Sequence, residues 1–141
     1  MILYIDTSVL VPLLIEDPAS ASCGELWDSA DAVTTTRLAY VEAVAALAQG
    51  IRLGRVSPAG AVEGRAVLDD LWAAINVIEI DSDLMRSAAS LAITHGLRGY
   101  DATHCAAAIA VNGDELVAAT GDRRLHTAWR TEGVMTWNPN A

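Results

Sequence analysis

Ile2-Leu3-Tyr4-Ile5-Asp6-Thr7-Ser8 is the stretch on which the reading of this chain turns. Four successive apolar residues make a run too short for a helix and of the length of a buried parallel strand. The run stops on a carboxylate and two hydroxyls before apolar residues resume at Val9-Leu10-Val11, so oxygen-bearing side chains stand at the end of a strand. Open α/β sheets bind their ligands there, outside the carboxyl ends of the strands. The same layout returns near the other end of the chain, where Leu116-Val117-Ala118-Ala119 runs into Thr120-Gly121-Asp122.

Between these two stretches, strand and helix patterns alternate. Val9 to Ile15 reads as a helix with Pro12 in its first turn, where proline is tolerated. Asp17-Pro18 opens a second helix to about Trp27, and Ala32-Val33-Thr34-Thr35 is a brief β-branched strand. Leu38, Val41, Ala45 and Ala48 recur at helical spacing, predicting a helix from about Arg37 to Gln49 with Gly50 as its stop. Ser57-Pro58 is an N-cap with proline behind it, opening a helix to about Ala74. Asn76 to Ile80 is β-rich, Asp81 or Ser82 caps a helix that Gly96 terminates, and another helix runs from Asp101 to about Val111. Glu115 to Ala119, Asp122 to Arg130 and Val134 to Trp137 follow as strand, helix and strand. This order predicts a single domain over residues 1–141: a three-layer α/β/α fold around a mostly parallel, roughly five-stranded sheet.

Composition narrows the classes of function. The net charge of −9 argues against a protein that binds nucleic acid by coating phosphates with cations. It does not exclude nucleic-acid chemistry, because carboxylates gathered around a divalent ion become locally positive once it binds. No apolar run reaches the ~18 residues of a membrane span, and the N-terminus enters a strand without a basic leader. The expected location is therefore the cytoplasm, with Cys23 and Cys105 as free thiols. All nine basic residues are arginine. Without lysine, receiver domains and haloacid-dehalogenase-like phosphotransferases lose the group they place near the phosphoryl, and a P-loop is absent. An aspartate-based phosphatase using Asp6 as nucleophile remains as an alternative.

The candidate chemistry lies in four carboxylates. Asp6, Asp101 and Asp122 all precede helices, where aspartate also serves as a cap. Glu42 lies four residues after Leu38 and three before Ala45, on the stripe expected to pack inward, where a lone carboxylate is costly unless paired or bound to metal. Two acids at strand ends and others near helix starts suggest an oxygen cage for a hard cation such as Mg²⁺ or Mn²⁺. Thr7, Ser8 and Thr120 add neutral oxygens. His104, one turn past Asp101, reads either as a neighbour of the site or as a helix-surface or core residue. Trp27 and Trp72 fall on apolar stripes and belong to the core, whereas Trp129 and Trp137 are candidates for a dimer or partner surface. Arg52, Arg55 and Arg65 sit in the least regular segment, Ile51 to Arg65, as a solvated face or a contact surface.

The ordered set of motifs resembles the PIN-domain nucleases and, among them, the VapC-type toxins of toxin–antitoxin pairs. The resemblance rests on Leu3-Tyr4-Ile5-Asp6-Thr7-Ser8-Val9-Leu10, Leu38-Ala39-Tyr40-Val41-Glu42-Ala43, Leu97-Arg98-Gly99-Tyr100-Asp101-Ala102 and Ala119-Thr120-Gly121-Asp122-Arg123-Arg124-Leu125. It implies that Asp6, Glu42, Asp101 and Asp122 form an acidic quartet, accompanied by Thr120. Asp6 and Asp101 would then be the direct metal ligands, with Glu42 and Asp122 acting partly through water. The implied activity is a Mg²⁺- or Mn²⁺-dependent endoribonuclease that cuts a structured RNA such as tRNA or rRNA to arrest translation. Arg98, Arg123 and Arg124 would steer the RNA backbone. The implied partners are a VapB-type antitoxin, whose C-terminal segment blocks the acidic cleft, and a second copy of the chain in a homodimer. A PIN scaffold that binds RNA or a partner without cutting is the further alternative.

Overall fold

In the computed structural model, which describes residues 1–140, the N-terminal apolar run forms β1 (Ile2–Ile5). The other strands are β2 (Ala32–Thr36), β3 (Asn76–Ile78), β4 (Leu116–Ala119) and β5 (Thr136–Trp137). They form one five-stranded sheet in the order β3-β2-β1-β4-β5, and every pairing is parallel. The expected three-layer α/β architecture is therefore present, with a sheet that is parallel throughout.

The strand order places the site. The chain builds outward from β1 through β2 to β3, then crosses back to lay β4 against the other side of β1. The order in which strands are added thus reverses between β1 and β4, and their carboxyl ends form the switch point where such folds place ligands. Register fixes the neighbours: Ile5 lies opposite Ala119, so Asp6 and Thr120 leave the sheet side by side.

Helices cover both faces. On one lie α1 (Thr7–Leu10), α2 (Ser20–Ser29), α3 (Leu38–Arg52) and α4 (Pro58–Trp72); on the other lie α5 (Ser82–His95), α6 (Gly99–Ala110) and α7 (Arg123–Thr131). The period-two alternation of β1 splits its side chains between two cores. Leu3 and Ile5 join Val9, Leu10, Ala43, Leu47 and Leu68, whereas Tyr4 joins Ala106, Leu116, Leu125 and Trp129. Seven consecutive α6 residues, Ala102 to Ala108, are buried, as expected of a helix enclosed on nearly all sides.

Several predicted features shift. The helix expected over Val9 to Ile15 starts at Thr7, ends at Leu10 and passes into a 3₁₀ turn at Val11–Leu13, with Pro12 buried. The next helix begins at Ser20, after an Asp17 turn in which the carboxylate accepts from the Ala19 amide. Gly50 does not end α3; the helix continues to Arg52, and the left-handed turn falls on Gly54. Gly50 is instead a point of close approach, where a Cβ would lie 2.8 Å from Val56 Cγ2. The buried stripe of α3 is Ala39, Ala43, Leu47 and Gly50, and Val41 is 60% exposed. The expected Leu38-Val41-Ala45-Ala48 stripe was therefore rotated from the packed face, because alanines and a glycine make the contact. Trp129 is fully buried and stacks edge-on to Tyr4, so it belongs to the core and not to a partner surface. Ser57, Asp81 and Gly96 cap their helices as the sequence predicts.

Candidate active site

Asp6 ends β1 and is 4% exposed, which would be costly for a carboxylate without partners. Two hydroxyls meet it: Ser8 Oγ donates to Oδ1 at 2.6 Å and Thr120 Oγ1 donates to Oδ2 at 2.6 Å. Thr120 in turn accepts from the Asp122 amide, and Ser8 accepts from the Gly121 amide. The ends of β1 and β4 are thus sewn together through Asp6. Burial pushes its carboxyl above the ordinary range, while His104 and the two hydroxyls pull the other way.

Asp101 stands in the first turn of α6, which opens at Gly99 two residues earlier than the sequence predicts. Its pKa is pushed up to about 6, first by burial, then by the charges of Asp122 and Asp6; His104 and Arg98 oppose the rise. Three acids from three separate stretches therefore share one electrostatic neighbourhood. Asp122 also caps α7, accepting from the Leu125 amide through Oδ1.

Glu42 joins from α3 by a different route. Its Oε1 accepts from Thr7 Oγ1 at 2.8 Å and pairs with His104 Nε2 at 2.7 Å. Burial raises its pKa, yet the bonds from His104 and Thr7 leave it lowered overall. On its far side, His104 Nδ1 meets the Tyr4 hydroxyl at 2.7 Å. His104 thus lies beside the acidic residues, inside the core and off the helix surface, and Tyr4 extends the connection to β1. The sequence signal for His104 was its place one turn beyond Asp101; nothing in the sequence marked Tyr4.

Of the predicted arginines, only Arg98 is tied to this centre. Arg98 donates to the Tyr100 hydroxyl and packs over that ring, close enough to Asp101 to stabilise its charge. Arg123 and Arg124 are exposed and, with His95 and Thr127, line an open cleft of about 460 Å³ on α7. Both cysteines are buried, and burial foremost pushes their thiols up to about 11 for Cys23 and about 12 for Cys105, which removes thiolate chemistry at neutral pH.

Residues 3–128 match the family model of the PIN domain. The chain belongs to the PIN domain family. Among its relatives, it is 39% identical over 132 residues to Ribonuclease VapC45 of Mycobacterium tuberculosis, covering 94% of this chain and 92% of that protein. Two solved structures share the fold. FitAcB from Neisseria gonorrhoeae aligns with a TM-score of 0.71 at 21% identity, over 99% of this chain and 98% of that one. VapC20 of M. tuberculosis, a sarcin-ricin loop cleaving toxin, aligns with a TM-score of 0.69 at 22% identity, over 89% and 94%. All four acids and Thr120 lie within the matched PIN region.

The donor chemistry of this PIN domain fits a hard divalent cation. Asp6, Asp101 and Asp122 offer carboxylate oxygens, and the upward push on Asp101 is in part a like-charge repulsion that a cation relieves. Among the described residues no three acidic, histidine or cysteine side chains close on a single point. Thr36 Oγ1, buried without a hydrogen-bond partner, adds a polar atom to the carboxyl end of β2 beside this rim. Among the described residues, no helix is long and apolar enough to cross a membrane.

Proposed function

We propose that this PIN domain is a divalent-metal-dependent endoribonuclease, the toxin of a toxin–antitoxin pair with a VapB-type antitoxin, acting on cellular RNA. The observation that carries the reading is Asp6, buried at the switch point of the sheet and bonded by Ser8 and Thr120, with the Asp101 carboxyl raised by burial and then by Asp122 and Asp6. The 39% identity to a protein named as a VapC ribonuclease supports the class of reaction and of partner.

Asp6 and Asp101 are the residues that would hold the cation, with Asp122 and Glu42 as further oxygen donors acting partly through water. The ion, when bound, supplies a water of lowered pKa and polarises the scissile phosphodiester. Thr120 and Ser8 fix both Asp6 oxygens and so set the direction of its remaining lone pairs. Glu42 takes both of its hydrogen bonds on Oε1, which leaves Oε2 to accept the proton of the attacking water. Bond breaking on the 3′-oxygen side of the phosphorus gives a 5′-phosphate and a 3′-hydroxyl. Arg98, Arg123 and Arg124 hold the flanking phosphates, with the cleft of His95 and Thr127 beside α7 as the path. An aspartyl-phosphate route through Asp6 is disfavoured, since the chain has no lysine to place near the phosphoryl group.

Purified, antitoxin-free protein on total RNA tests the reading. Discrete cleavage is expected with Mn²⁺ or Mg²⁺ and none in EDTA, and Asp6→Asn or Asp101→Asn should each lower the rate by about 100-fold or more. Cleavage that persists in EDTA sinks the mechanism; binding of RNA without cleavage makes the protein a scaffold instead.

A further inference from the structure

We propose that His104 is a positioning residue, which Tyr4 orients and which holds the Glu42 carboxylate in place for the reaction. The inference rests on the nuclease reading above.

The imidazole is 1% exposed and both of its nitrogens are committed at 2.7 Å, one to Tyr4 on β1 and the other to Glu42 on α3. An ionised carboxylate has no proton to give, so Nε2 must carry the hydrogen and donate it to Glu42 Oε1. In the neutral ring Nδ1 is then a bare acceptor, and the Tyr4 hydroxyl donates to it. Tyr4 is fully buried, and burial, then Asp6 and Glu42, push its phenol well above 10, so it keeps the proton it donates. One tautomer follows from the arrangement.

The arrangement has a consequence for Glu42. Its side chain is only half-buried and its long stem gives it many rotamers. Two donors from different elements, Thr7 and His104, converge on a single oxygen and restrict the orientation of the other. His104 and Asp101 share one face of α6, three residues apart, so the helix that presents one acid also supplies the anchor of another. A histidine serving only the core would need its volume filled and its polar atoms satisfied. It would not need to bond an acid that the adjacent solvent could hydrate.

Two measurements on the full chain decide the matter. Imidazole ¹⁵N spectra should show His104 with Nε2 protonated and Nδ1 bare; Tyr4→Phe should shift the Nδ1 resonance and Glu42→Gln the Nε2 resonance. In single-turnover cleavage, His104→Leu should lower the maximal rate about tenfold, as loss of such a supporting partner does in metal sites, with the RNA concentration for half-maximal rate unchanged. His104→Gln, whose amide places a donor near Nε2, should recover most of the rate. In a Glu42→Gln background, His104→Leu should have no further effect. A neutral ring protonated at Nδ1 overturns the proposal, and so does an equal loss from His104→Leu with or without Glu42. Should His104→Leu fail to fold, Tyr4→Phe and His104→Gln keep both readouts available. If the wild-type chain cleaves no RNA, the nuclease reading fails, while the spectra still decide whether His104 anchors Glu42.

Discussion

Burial, and then the charges of Asp122 and Asp6, push the Asp101 carboxyl from its ordinary 3.8 up to about 6. The folded, metal-free chain therefore holds this proton more tightly than the unfolded one. The stability that Asp101 contributes is fully present below about pH 4 and is lost as the pH rises through about 6. Asp101→Asn removes that dependence, so the variant without metal should melt a few degrees above wild type at pH 7 and match it near pH 4. Calorimetry across that range checks it, and a lower melting temperature at pH 7 contradicts it. Asp6, Asp101, Asp122 and Thr120 stand out in the sequence at strand ends or helix starts, whereas Glu42 was drawn from a helix stripe that lies rotated from the packed face. Their electrostatic coupling was not legible, since it depends on which stretches meet at the rim. His104 was half legible and Tyr4 not at all: an aromatic in a buried strand reads as packing until its hydroxyl finds a partner.

At the scale of elements, α4 lies close enough to the 3₁₀ turn that a Cβ on Gly64 would stand 3.0 Å from the Leu14 carbonyl oxygen and 3.3 Å from Leu47 Cδ2. Alanine is the better helix former by about 1 kcal/mol, but backbone cannot yield as a flexible side chain does, so Gly64→Ala should lose stability. Gly24 in α2 has nothing within 4 Å of the same atom, and Gly24→Ala should gain about 0.5–1 kcal/mol. Urea midpoints compare the two; a stabilising Gly64→Ala would show that the helices are not packed as described. Ser57 offers a third check, because its hydroxyl accepts from the Gly60 amide and Ser57→Ala should cost about 1 kcal/mol. Capping chemistry is local, which is why the starts of α4 and α5 could be read directly. The α3 stripe could not: Ala39, Ala43 and Gly50 pack because they are small, and small residues give little hydropathic contrast.

Across the whole molecule, a chain of net charge −9 keeps Arg123, Arg124 and Arg130 on a single nine-residue helix. If Arg123 and Arg124 hold RNA phosphates, replacing both with alanine should flatten the salt dependence of RNA binding. The slope of log affinity against log salt should fall by about 0.7 per lost contact on single-stranded RNA. The concentration for half-maximal cleavage should rise while the maximal rate stays near wild type. An unchanged salt slope would move the RNA path elsewhere. Metal should also act globally: Mn²⁺ binding to the folded state alone raises the melting temperature by mass action. That gain should vanish in Asp6→Asn, and EDTA should reverse it in wild type.

The sequence by itself determined the class of this protein. Alternating strand and helix patterns dictate a parallel sheet with helices on both faces, and the placement of acids just past two strands points to its carboxyl edge. These features depend on neighbours a few residues apart. Only the tertiary structure decided which ends adjoin, because strand order is set by how the whole chain packs and not by any local run. Placing β4 beside β1 brings Thr120 onto Asp6, and packing α6 against the Tyr4 face of the sheet turns a histidine in an alanine-rich helix into the link from Tyr4 to Glu42.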